Sequence, residues 1–163
     1  MNSENTFGGQ TAHHGDASGD ITVLNTLIGT LLDSVEGYRK AAEDVDNPTY
    51  LTLFTDRSNE RQEVAARLQA AVVQLGGEPE DDATTLGAIH RVFVDLKSVV
   101  TGRDDEAIVK EVERGEDYLK AKFETAMKNT DLSAIATSAV SSAWHSVKSG
   151  HDQMSALKHS ISN

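Results

Sequence analysis

"KEVERGEDYLK", residues 110–120, decides how the chain is read. Val112 and Leu119 belong to an apolar stripe that also takes in Ile108, Phe123 and Ala126, at the three- and four-residue steps of a helix face. A strand would need strict alternation, which is missing here. Inside this stripe, Gly115 and Glu116 occupy the level at which another apolar residue is expected. A carboxylate in the middle of an inward face implies that the neighbouring helices bring something polar or cationic to the same depth.

Working outward, "TGRDD" opens this helix, which is expected over 105–128. "KNTD" separates it from a last helix over 132–161, with Asp131 as N-cap and Leu132, Val140, Val147, Met154 and Ile161 inward. Gly150 is expected to soften or bend that helix. On the N-terminal side, a short helix is expected over 86–100, with Leu86, Ile89, Phe93, Leu96 and Val100 as its stripe. Before it come "EPEDDATT" and the Gly76-Gly77 stop of a helix over 48–75, which begins at the Asn47-Pro48 cap. Its inward face carries Leu51, Phe54, Val64, Leu68, Val72 and Leu75. The first helix is expected over 21–44, capped by Asp20, with Leu24, Ile28, Leu31, Val35, Tyr38 and Ala42 inward. Residues 1–19 are polar, Gly-rich and aperiodic and read as a flexible tail. The expectation is an all-α protein with one domain over 20–163. Two antiparallel hairpins form a ferritin-like four-helix bundle, and the 86–100 helix is the crossover between them.

Composition narrows the function. The net charge of −11 disfavours phosphate-rich partners, so no nucleic acid is expected, and no apolar run is long enough for a membrane span. With no cysteine there is no thiolate ligand or nucleophile, which suits a cytoplasmic protein. No phosphate-cradling glycine loop or nucleophile elbow is present.

Five glutamates are the candidate site residues. A helical rise of ~1.5 Å per residue places Glu36 about 22 Å above Ile21, with Glu60 and Glu63 at about 18 and 13 Å and Glu113 and Glu116 at about 24 and 19 Å. Such carboxylates could share a middle layer around a divalent or trivalent cation, and an oxygen-rich set suits iron or manganese. Arg57 and Arg61 lie at the same level, and a guanidinium there would pair Glu116 without any metal. His151 is expected about 30 Å up, roughly two turns above the carboxylates. His90 borders the apolar face of the crossover helix.

The segments "LNTLIGTLLDSVEGYRKAAEDV", "NERQEVAARLQAAVVQLGGEPED", "LGAIHRVFVDLKSVVTGRDDEAIVKEVERGED" and "HDQMSALK" together resemble a family of small bacterial ferritin-like four-helix-bundle proteins of unknown function. Arg61, the "GGEPED" turn, His90-Arg91 and Gly115-Glu116 match its recurrent features. The resemblance spans about residues 21–160 and implies a ferritin-like bundle with no established activity. Where ferritin-like di-iron proteins carry Glu-x-x-His, this chain has Glu60-x-x-Glu63 and Glu113-x-x-Glu116, so iron storage and oxygen activation are not implied.

Two functions are expected to compete. The first is a non-enzymatic bundle acting by self-association or with a protein partner, with stress physiology as the setting considered. The second is a metal-binding carboxylate bundle with ferroxidase-like activity.

Overall fold

Four helices make up the described part of the chain: α1 (His14–Asp44), α2 (Pro48–Gln74), α3 (Asp105–Met127) and α4 (Ala134–Ile161). The computed structural model describes residues 14–82 and 104–162. The expected 86–100 helix and His90 lie outside them.

Local chemistry sets most of the helix ends. Asn47 accepts the Thr49 N–H at 2.8 Å, and Pro48 takes the first position of α2, where no N–H is needed. Gly76, at φ +85°, turns the chain out of α2 in the left-handed region, while Gly77 N–H donates back to the Val72 carbonyl at 2.9 Å. Asp104 caps α3 through the Glu106 N–H at 3.0 Å, with Asp105 and Glu106 favourably placed against the helix dipole.

The packing forms a four-helix bundle. α1 lies against α2 and α3, α4 lies against α2 and α3, and α1 and α4 are diagonal. Both oxygens of Asp20 accept the Ser133 N–H at 3.3 Å, so α1 and α4 start at the same end. At the opposite end, Asp105 accepts the N–H groups of Asp46 and Asn47 at 3.0 and 2.9 Å, fastening the start of α3 to the α1–α2 turn. The two hairpins of the sequence reading are therefore present, and α2 and α3 run in the same direction.

Two boundaries differ from the sequence expectation. α1 begins at His14 rather than near Ile21, so Asp20 is a buried helix residue and not a cap. The cap of α4 is Ser133, through the Ala136 N–H at 3.3 Å, and Asp131 instead closes a turn with Asn129. The Ser141 hydroxyl touches the Met127 sulfur at 3.9 Å, so the last residue of α3 is level with the second turn of α4. Residues 128–133 carry the chain past the end of α3, and α4 projects beyond it by about two turns.

Apolar side chains form two clusters. The first joins Leu24, Ile28 and Leu31 with Val64, Leu68, Leu119, Phe123, Val140 and Val147. The second joins Tyr38, Phe54, Ile108, Val112 and Met154. Leu51, expected inward, is largely exposed, and Phe54 one turn later fills the core position. Each fully buried Leu or Phe contributes about 1.5–3 kcal/mol. Between the clusters lies a layer that is not apolar.

Candidate functional site

Arg61 fills that layer. Its side chain is fully buried, and Nη2 donates to Oε2 of Glu116 at 2.8 Å, with Glu116 only 2 % exposed. Nη1 donates to the Ser34 hydroxyl at 3.1 Å, and the guanidinium carbon lies 5.8 Å from the centre of the Tyr38 ring. Burial opposes the charge on Arg61, but the Glu116 carboxylate, with Tyr38 and Glu60 adding to it, holds the guanidinium above its ordinary pKa. This pair explains the interrupted stripe: Glu116 replaces an apolar residue because α2 delivers a cation to the same depth. Helix α4 leaves the space, since a methyl group at Gly150 would come within 2.2 Å of Arg61 Nη2 and 3.3 Å of Glu116 Oε2. The expected softening of the last helix at Gly150 is thus a close approach inside continuous α4.

Tyr38 closes the layer. Its hydroxyl is buried without a well-formed hydrogen bond among the described residues, and the Glu116 carboxylate is near enough to act on it. Burial first, and then the Glu116 charge, push the phenol pKa well above its ordinary value.

A second set borders the first. Arg57 Nη1 donates to both oxygens of Glu60 at 2.9 and 2.8 Å, and its Nη2 donates to the Gln153 side chain. Ser146 donates to Glu60, and Ser58 to the Val35 carbonyl at 3.0 Å. On the α3–α4 flank, Lys158 donates to Glu113 Oε2 at 3.1 Å. Nearby, His151 Nε2 lies 2.6 Å from Asp117 Oδ1, and its Nδ1 lies 3.4 Å from Asp152 Oδ1. The Glu113, Asp117 and His151 ligand atoms all fall within 4.8 Å of one another.

The five glutamates of the sequence reading are placed apart. Glu36 pairs with Arg39 on the outer face of α1, and Glu63 is exposed. Glu60 is held by Arg57, Glu113 by Lys158 and Glu116 by Arg61. Glu113 is the one of the five in a group spaced to hold a cation among the described residues. His151 sits beside Asp117, level with the α3 carboxylates and not two turns above them, because the projection of α4 lowers every α4 residue relative to α3. Asp117, Gly150 and Lys158 were not singled out from sequence as site residues. A Glu113-x-x-x-Asp117 repeat on one helix face was the available signal for the first.

A four-helix bundle with a buried arginine–glutamate layer is the class that fold and site define. The chain belongs to the family described as a domain of unknown function, DUF2383, which matches residues 20–129, more than half of its length. The match takes in Ser34, Tyr38, Arg61, Glu113, Glu116 and Asp117 and ends before α4. No curated protein matches the chain. No helix among the described residues is long and apolar enough to cross a membrane.

Proposed function

We propose that this protein is a ferritin-like, non-enzymatic bundle of the cytoplasm that works by pairing with a second copy of itself through the outer face of α2 and α4. The observation carrying this reading is the distribution of charge. From Leu132 to Val147 the chain has no Asp, Glu, Lys or Arg, and from Val64 to Leu75 it has only Arg67, although the whole carries −11. These stretches lie side by side, at the projecting end of α4. Val73 is 60 % exposed on α2, and Ile135, 39 % exposed on α4, lines a groove with Arg67, Ala70, Gln74, Ala134 and Ser138.

Two copies repel each other over most of their surface, and this face opposes their approach least. Small side chains allow helices from the two copies to come within about 8–10 Å. A two-fold pairing needs only this one self-complementary patch. A surface role is further favoured because Arg61 already fills the centre of the bundle.

Sedimentation velocity over a concentration series tests the proposal. The expected outcome is a monomer–dimer equilibrium that Val73→Glu/Ile135→Glu moves to monomer while the circular dichroism spectrum is unchanged. A wild-type chain that stays monomeric at every concentration would overturn it. A second reading, a cation-binding bundle, draws on Glu113 with Asp117 and His151.

A further inference from the structure

We propose that Glu113, Asp117 and His151 form a site for one divalent first-row transition cation on the α3–α4 flank. It shares only Glu113 with the glutamate set suggested by the sequence, and it lies outside the Arg61–Glu116 layer.

Glu113 and Asp117 are one turn apart on the same face of α3, and His151 meets them from α4. Metal–ligand distances near 2.0–2.2 Å place ligand atoms roughly 3–4.5 Å apart around an ion. The three ligand atoms already lie within 4.8 Å of one another, and Asp117 is exposed, so a turn of its side chain completes the fit. Glu113 is buried, and Lys158 engages its Oε2, leaving Oε1 for an ion.

The histidine supplies the independent argument. Each of its ring nitrogens faces a carboxylate oxygen, Nε2 toward Asp117 at 2.6 Å and Nδ1 toward Asp152 at 3.4 Å. A neutral imidazole has one N–H, so one nitrogen must turn a lone pair toward a carboxylate. That contact is favourable only when the ring nitrogen carries another proton or binds a metal ion. With Nδ1–H directed at Asp152, the Nε2 lone pair points into the group. This is how an outer carboxylate orients a metal-binding histidine. One imidazole with two carboxylates suits Zn²⁺, Mn²⁺ or Fe²⁺ better than Ca²⁺ or Mg²⁺, which prefer oxygen alone. The other acidic group, Glu80–Asp81–Asp82, has no such second feature and carries no site.

The test is calorimetric titration of Zn²⁺ into the full untagged chain at neutral pH, with His13→Ala/His14→Ala as the background that removes the adjacent histidine pair. The expected result is one equivalent bound per chain in that background. His151→Ala should abolish saturable binding, Asp117→Asn should weaken it, and Asp152→Asn should weaken it about 10–100-fold. His145→Ala and His159→Ala should leave it unchanged. Asp117 and Asp152 are exposed, so their variants report even if His151→Ala disturbs packing. Zn²⁺-dependent shifts of the His151 ring resonances in the unaltered chain give a readout without mutation. Absence of saturable binding, its loss in the His13→Ala/His14→Ala background, or its persistence in His151→Ala would each overturn the proposal.

Discussion

Gly150 on α4 and the Arg61 guanidinium from α2 occupy adjoining space so closely that a single added carbon at Gly150 would meet Nη2 at 2.2 Å. Alanine would raise helix propensity by about 1 kcal/mol, which by itself predicts stabilisation. The displaced atom is the end of a flexible side chain, but it is also half of a fully buried ion pair. Moving it exposes Glu116 to an uncompensated interior, and overpacking alone costs about 1–3 kcal/mol. Gly150→Ala is therefore expected to lower stability by about 1–3 kcal/mol in urea denaturation. A variant as stable as wild type would show that the guanidinium has room to move.

The Arg61–Glu116 pair predicts an asymmetry between single and double replacement. Arg61→Met or Glu116→Leu alone leaves a buried charge without its partner and should cost about 3–5 kcal/mol. Replacing both together removes charge and counter-charge and should cost much less than the sum. Urea midpoints for the four proteins form the cycle, and additive losses would mean that the pair is not coupled.

How far sequence reading reached depends on whether the deciding chemistry was local. Asn47-Pro48, Gly76 and Asp104 act within a few residues of the ends they set, and the helices they bound are where the pattern puts them. Asp20 serves as the buried acceptor of the Ser133 N–H, 113 residues away, which no local pattern encodes, whereas the Ser133 cap of α4 is a local contact with the Ala136 N–H. In the centre, the stripe broken at Glu116 announced a polar layer. Choosing among Arg57, Arg61 and a cation required the register between helices. Heights counted from helix ends misplaced His151 because they assumed that the end of α3 and the start of α4 are level.

Tyr38 predicts a pH dependence. Its pKa in the folded state lies well above the ordinary 10.0, because burial and the Glu116 carboxylate both disfavour the phenolate. The unfolded chain loses this proton near pH 10 while the folded chain keeps it. The contribution is therefore complete below pH 10 and is lost as pH rises toward the folded-state pKa, at up to about 1.4 kcal/mol per pH unit. Urea midpoints measured from about pH 9 to about pH 11 should fall more steeply for wild type than for Tyr38→Phe. Parallel slopes would sink this assignment.

Asp105 joins two parts of the fold with one carboxylate, accepting the Asp46 and Asn47 N–H groups while starting α3. Asp105→Ala removes both charge-assisted bonds and a favourable dipole contact and should cost about 1–3 kcal/mol. Hydrogen exchange should quicken at the Asp46 and Asn47 amides beyond the global change. Protection unchanged at those two amides would count against the contact.

Salt should strengthen self-association, although salt weakens interfaces built from ion pairs. Each copy carries −11, and the proposed face contributes little besides Arg67, so the electrostatic part of the encounter is repulsion between the surrounding surfaces. At about 0.01 M salt that repulsion reaches roughly 30 Å, and at about 0.1 M it is screened within roughly 10 Å. The apolar contacts of Val73 and Ile135 are not screened in this way. The dimer dissociation constant should therefore fall as sodium chloride rises from about 0.01 M to about 0.3 M, by sedimentation equilibrium. Glu63→Gln, which removes an exposed negative charge from α2 near this face, should tighten the dimer most at low salt and least at high salt. An affinity that weakens with salt would instead mean that opposite charges meet across the contact, and a different face would have to supply them.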